Sequence, residues 1–363
     1  MALVSRRTVI ATGVSVAAAG AIGYSLWPGM DGYRDAVERQ RRLLADDPEI
    51  EELVRMATLA ANGHNTQPWK FLLEGQKVAI LPDFARRTAV VDPDDHHLFV
   101  SLGCAAENLV IAGSALGRGS EVMIAAGSEP QVDIALSPAQ PGGLGLYQAI
   151  PLRQSTRSAY DGQQISPADM ALLEAAAREE GVSVLFFTEP AERDAILDLV
   201  IAGNSAQMDD PAFVRELLAW IRFSPARAVE TGDGLFAACS GNPVLPEWIG
   251  PTLFGMVFRK GSENDKYRDQ IRSSAGIAVF VGDRADPEHW IKVGRSFQCF
   301  ALQATALGIR NAHVNQPVEV PSVRQEFARW LGMPDARPDL VIRFGRAPAM
   351  PMSLRRPVSA VLA

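Results

Sequence analysis

An α+β fold of two related halves, each with long helices packed on a small sheet, is what this 363-residue sequence predicts. Two observations carry that expectation. Helical and strand patterns follow one another in the same order twice along the chain, and each round holds a long apolar helix ending in Ala-Leu-Gly. Aligned from that ending, residues 102–117 and 293–308 share four of sixteen positions, including a glycine near the start. Four identities are few; the repeated order of elements points more firmly to an internal duplication.

The elements read in order as follows. Residues 31–63 give a helix, an Asp47-Pro48 interruption, and a second helix with Ile50, Leu53, Val54, Ala57 and Ala61 on one apolar face. "WKFLLEGQKVAILPD" reads as two short strands joined at Glu74, Gly75 and Gln76. "DPDDHHLFVSLGCAAENLVIAGSALG" reads as a long buried helix stopped by Gly117, with "EVMIAA" and "QVDIAL" as further strands. After "PGGLGLYQAIP" the pattern restarts: Ser166 caps a helix opened by Pro167, and a strand follows. "IAVFVGDRADPEHWIKVGRSFQCFALQATALGIRNAHV" supplies a strand, a loop and the second long helix. Between these strands lies an insertion at about 191–272, rich in Trp, Phe, Pro and Gly, whose composition suits a cover over a pocket. The expected division is 1–30 as a leader, 31–150 as the first half and 151–363 as the second.

Composition narrows the functional classes. The net charge is −7 with basic residues scattered, which argues against nucleic acid. Cys104, Cys239 and Cys299 are far apart and odd in number, so neither a disulfide framework nor a zinc site is suggested. His96 and His97 are adjacent, a spacing that points helical side chains in different directions, and no metal is expected. At the front, "SRRTVI" precedes an uncharged run from Val9 to Trp27, 19 residues. Paired arginines before such a run resemble a twin-arginine export signal, cleaved or kept as an anchor, which predicts a periplasmic or membrane-anchored protein.

Three motifs carry a family resemblance. "LRQSTRSAYDGQQI" holds Arg153, Gln154, Ser155 and Arg157; "ANGHNTQPW" holds Asn62, Gly63, Asn65, Gln67, Pro68 and Trp69; and the chain ends in a strand followed by Arg355 and Arg356. Together they resemble the FMN-dependent nitroreductase superfamily, in particular its duplicated single-chain Acg-like branch, although the Pro-Ser that opens the family's Asn motif is missing here. The resemblance implies a nitroreductase-like fold in which the two halves form an internal fused dimer, so the chain would be a monomer. It implies FMN as cofactor, with a small-molecule substrate and an electron donor as partners.

The first half has the Asn turn but no Arg-x-Ser-x-Arg before it, "RRLLADD" being a poor substitute. The second half has the arginines, but "EEGVSVLFF" where a turn would be. Complementary losses of this kind predict one flavin site per chain. By the resemblance, Arg153, Gln154 and Ser155 with Arg355 and Arg356 meet the phosphate and ribityl end, and Arg157 the pyrimidine edge of the ring. Asn62, Gly63 and Asn65 contact ring or ribityl chain, and backbone N–H groups around His313 to Gln316, with Val314 and Asn315 at the centre, face N5. Gln67, Pro68 and Trp69 read as structural, and His64 and His313 as hydrogen-bonded structural histidines. No nucleophile or carboxylate pair is evident, which fits chemistry carried by a cofactor. Two activities are compatible with this reading: a ping-pong oxidoreductase, and a flavin-sequestering protein with little turnover.

Overall fold

The computed structural model describes residues 29–363 except 126, 128 and 129, so the arginine pair and apolar run of the leader lie outside the described residues. The first half runs α1 (Met30–Arg41), α2 (Ile50–Thr58), β1 (Trp69–Glu74), β2 (Lys77–Pro82), α3 (His96–Ala115), β3 (Arg118–Ala125), β4 (Gln131–Pro138) and α4 (Leu144–Ala149). β1 and β2 form the expected hairpin, with Glu74 opposite Lys77 and Gly75 at φ 62° in the two-residue loop. The sheet is antiparallel throughout, in the order β1-β2-β4-β3.

The second half opens with α5 (Pro167–Ala176), where Ser166 accepts from the Asp169 amide as a cap, and β5 (Val182–Phe187). The insertion follows as α6 (Pro190–Asp209), α7 (Pro211–Trp220), β6 (Ile221–Arg222), α8 (Pro225–Thr231), β7 (Leu235–Phe236), α9 (Gly250–Val257) and α10 (Lys260–Arg272). The half then resumes with β8 (Gly276–Gly282), α11 (Pro287–Ala306), β9 (Arg310–His313), α12 (Gln316–Glu319), α13 (Pro321–Trp330) and β10 (Pro338–Gly345). Its sheet is antiparallel in the order β5-β8-β10-β9. Counted within each half, the strand order is the same, and each half places a 20-residue helix between its second and third strands.

The two sheets differ in what covers them. β8 and β10 are buried at every position. Alternate side chains enter two cores: Ala278, Phe280 and Ile342 pack toward α11, whereas Ile277, Val279 and Val341 pack with Ile196 and Val200 of α6. In the first half, β4 alternates buried and half-buried residues, as expected of a sheet covered on one face.

The long helices α3 and α11 cross at the centre of the molecule, where only glycine fits. A Cβ on Gly103 would stand 1.9 Å from the Ile291 carbonyl oxygen, and one on Gly294 2.0 Å from that of Val100. These are the glycines matched in the alignment of the two helices, and each meets the backbone of the other helix. The C-terminus crosses to the first half and extends its sheet, with the Phe71 amide donating to Val361 and the Ala363 amide to Phe71.

Candidate active site

Helix α2 ends at Thr58, and the chain then turns through residues 62–67, where His64, Asn65 and Gln67 hold φ of 48°, 54° and 53°. Left-handed backbone costs on the order of 1 kcal/mol at such residues and persists where contacts impose it. Asn65 Nδ2 donates to the carbonyls of Gly234 (2.9 Å) and Leu354 (3.1 Å). Gln67 Nε2 donates to the Gly232 carbonyl (2.9 Å), and its Oε1 accepts the Arg356 amide (2.8 Å). The Gln67 amide donates to Asn62 Oδ1 at 2.9 Å. The turn is thereby stapled to the insertion and to the C-terminal arm. Asn65, expected at the flavin, supplies one of those staples through Nδ2, while Asn62, Gly63 and His64 line a cavity of about 480 Å³.

The far wall of the cavity comes from the second half. Ser155 and Arg157 line it, with Phe297, His313, Asn315 and Gln316. The strand-like arm carrying Ser155 is fixed by the Thr156 amide, which donates to Asn311 at 2.9 Å. Among the described residues, no acceptor or carboxylate meets the Arg157 guanidinium, and burial lowers its pKa. Burial, followed by the charge of Arg157, pushes His64 down to about 4 and His313 down to about 3. Both are therefore neutral imidazoles at pH 7, and Arg157 is the fixed positive charge of this wall.

Other residues from the motifs stand behind the wall. Arg153 and Arg355 meet at one carbonyl, donating to Leu59 at 3.1 and 3.3 Å, and Arg355 also donates to Thr58 (2.6 Å) and Ala60 (3.1 Å). Arg41 joins them by donating to Pro151 (2.8 Å) and Ser353 (3.2 Å). Burial and, next, mutual repulsion bring Arg153 down to about 10; burial brings Arg41 to about 10 as well. No carboxylate pairs with these three guanidiniums among the described residues, so the cluster carries surplus positive charge that an anion would offset. Arg41 is the member that sequence reading missed. Its signal was a cation on the stripe of α1 that also carries Tyr33 and Val37, four residues apart each time.

Three further residues expected at the flavin make contacts elsewhere in the chain. Arg356 turns away from Arg355 and donates to the Ala360 carbonyl at 2.5 Å, with Asp83 3.9 Å away. Gln154 clasps the C-terminal arm, its Nε2 donating to the Met350 carbonyl (2.9 Å) and its Oε1 accepting the Met350 amide (2.7 Å). Val314 is buried, and its amide is spent on the Val341 carbonyl (2.8 Å), which leaves Asn315 and Gln316 of that loop on the cavity.

The insertion covers the open side, as its composition suggested. Phe213, Leu217, Phe223, Leu245, Phe254 and Phe258 line the cavity, and Phe254 stacks on Phe258 with centroids 4.4 Å apart. Ligand-type atoms of Asp92, His96 and His97 lie within 4.8 Å of one another. Asp92 accepts the amides of His97 and Leu98, both at 3.0 Å, and His96 Nε2 faces Asp339 Oδ1 at 2.8 Å.

No family model matches the chain. It is 24% identical over 333 residues to "Putative NAD(P)H nitroreductase Rv3131" of Mycobacterium tuberculosis, spanning 87% of this chain and 92% of that protein. It is 23% identical over 325 residues to "Putative NAD(P)H nitroreductase acg" of the same organism, spanning 86% and 94%. Among solved structures, the FMN-dependent nitroreductase NfnB of Mycobacterium smegmatis in complex with NADPH aligns with TM-score 0.37 and 14% identity, over 56% of this chain and 88% of that one. A nitroreductase-named protein of Anabaena variabilis aligns with TM-score 0.44 and 10% identity, over 83% and 74%.

Proposed function

We propose that this chain, a member of the nitroreductase superfamily, is an FMN-dependent oxidoreductase that moves two electrons to or from a small molecule. The observation that carries the reading is Arg157, a partnerless guanidinium aimed into a cavity whose opposite wall is the Asn62-Gly63 turn. Arg157 is half-buried and meets no carboxylate among the described residues, and its position suits a ligand that carries or develops negative charge. The residues present fit FMN. Gly63 offers open space, since a Cβ there would meet nothing within 4 Å. Ser155, Asn62 and Asn315 supply polar contacts on both walls. Behind the wall, the surplus charge of Arg41, Arg153 and Arg355 adds a positive field that favours an anionic ligand.

Bound FMN would supply hydride chemistry, which side chains lack. The chain's own contribution is to hold and orient. Arg157 keeps a fixed positive charge where reduction would add negative charge. His64 and His313 remain uncharged and add no second cation. The apolar insertion lines the same cavity as both walls, which supports a ping-pong cycle in which donor and acceptor use it in turn. One chain provides both walls, so the unit of function is a monomer. We further propose export by the twin-arginine route, supported by "SRRTVI" and the apolar run behind it; a reporter fusion that stays cytoplasmic would remove that part.

The test of the activity is purification of the full chain, identification of released chromophore by mass, and steady-state turnover with varied donors and acceptors. FMN with turnover supports the reading; FMN held without turnover by any pair points to sequestration; a colourless native protein rejects both.

A further inference from the structure

The cavity has a second polar group besides Arg157, formed where the insertion meets α3 and α12. His97 of α3, Gln207 of α6, Tyr267 of α10 and Glu319 of α12 line it. Glu319 Oε2 accepts from Gln207 Nε2 at 2.6 Å. Glu319 Oε1 stands 4.0 Å from His97 Nδ1. That is too long for a hydrogen bond and matches the separation of two groups that each hold one bridging atom at about 2.8 Å.

Protonation at this pole follows from the neighbours. His97 Nε2 lies 3.3 Å from the Asp339 carbonyl oxygen, with a longer approach from Asn315 Nδ2 at 3.5 Å. The closer acceptor holds the ring proton on Nε2, which leaves the Nδ1 lone pair facing Glu319. Burial raises Glu319, and burial followed by the neighbouring His96 lowers His97. Asp92 also faces the pair. Burial thus disfavours charge on both groups, which leaves the carboxyl and the ring to share hydrogen bonds with a neutral ligand. A hydroxyl group can bond both at once, because it donates as well as accepts. An ether or carbonyl oxygen can only accept. Beside this pole, Phe213, Leu217 and Phe254 give apolar walls suited to a planar ring.

We propose that Glu319 and His97 form a hydroxyl-recognising substrate subsite that selects aromatic molecules carrying a phenolic O–H over their ethers. The proposal rests on the flavin reading of the same cavity, because it assigns this pole to the substrate and the Arg157 pole to the cofactor. It goes beyond that reading in naming the substrate class.

The test uses the full purified chain under anaerobic conditions and two probes that differ only at the oxygen, 2-naphthol and 2-methoxynaphthalene, with affinities read by calorimetry. Wild type is expected to prefer naphthol by about tenfold, the effect of one well-made buried hydrogen bond. Glu319→Leu and His97→Phe should each bring the ratio near one while FMN content is unchanged. Equal affinities in wild type overturn the proposal, and so does a preference that survives in either folded variant. If a variant does not fold, the wild-type comparison still decides. FMN content, measured on the same samples, reports separately on the flavin reading.

Discussion

The two halves of the chain share a strand order and a central helix, yet they treat matching ground in opposite ways. In the first half, the turn before β1 is strained and open, with three left-handed non-glycine residues and a cavity beside Asn62 and Gly63. In the second half, the corresponding link before β5 is short: Gly181 takes φ 80°, and Glu179 bridges Val182. The helix positions tell the same story. Cys104 of α3 lines the cavity, whereas its match in α11 is Arg295. Arg295 donates to Glu107 (2.9 Å) and Glu179 (3.0 Å), and Cys299 donates to Glu107 (3.2 Å). Burial works against the charge of Arg295, but Glu107 and Glu179 outweigh it. One pseudo-equivalent site is thus an opening and the other an ion-pair network. A fold that repeats need not repeat its site; a few side chains at the helix crossing decide which copy stays open.

Four substitutions would break or sharpen this contrast, beginning with the largest effect. Gly294→Ala puts a methyl 2.0 Å from the Val100 carbonyl oxygen, so the central helices must part. The expected loss is about 3 kcal/mol or more in urea unfolding, and an unchanged midpoint would break the symmetric crossing on which the comparison rests. Arg157→Ala should weaken FMN by roughly 1.5–3 kcal/mol, the worth of a charge-assisted contact, read as flavin retained through dialysis. Arg295→Met should lower stability by about 1–3 kcal/mol at pH 7, because two partly buried carboxylates lose their partner. The loss should shrink as pH falls, because burial raises Glu179 and so favours its protonation, and no second flavin should appear. Gly63→Ala is expected to change stability by less than about 1 kcal/mol, since the added Cβ enters open space. A few-fold loss of flavin affinity would show that the cofactor approaches this backbone.

The histidines give the comparison a pH signature. The folded chain holds His64 at about 4 and His313 at about 3, below the unfolded value near 6.5. The unfolded chain then binds protons that the fold refuses, so this contribution to stability is full above about pH 6.5 and declines as pH falls toward 4. Asp339, raised to about 7 by burial, acts in the opposite direction, its contribution being lost as pH rises from about 4 to 7. His64→Asn, which also suits the positive φ, should flatten the acid-side decline by up to one proton's slope. Urea midpoints between pH 7 and 4.5 measure it.

Much of this was legible in the sequence because local chemistry reports local structure. The Glu74–Gln76 hairpin, the Ser166 cap, the two Ala-Leu-Gly helix ends and the apolar cover over the cavity all follow from residue type and spacing. The glycine shared by the two long helices was visible as an identity, but that each touches the other helix is a tertiary fact. Motif membership predicted the neighbourhood of Asn65, Gln154, Val314 and Arg356 and not their direction. Asn65, Gln154 and Val314 are drawn off by partners distant in sequence, in the insertion, the C-terminal arm or the neighbouring strand, and Arg356 by a carbonyl four residues on. Arg41 and the Glu319–His97 pole escaped notice because burial of a charge, and a 4.0 Å gap across 222 residues of chain, leave little trace in local pattern.

The central claim is that one half keeps the site and the other has closed it, and flavin stoichiometry tests it most directly. Acid release of the chromophore from the full native chain, quantified against protein by amino-acid analysis, should give about one FMN per chain. A ratio near two would contradict the closed second site, and a native protein free of flavin would contradict the open first one.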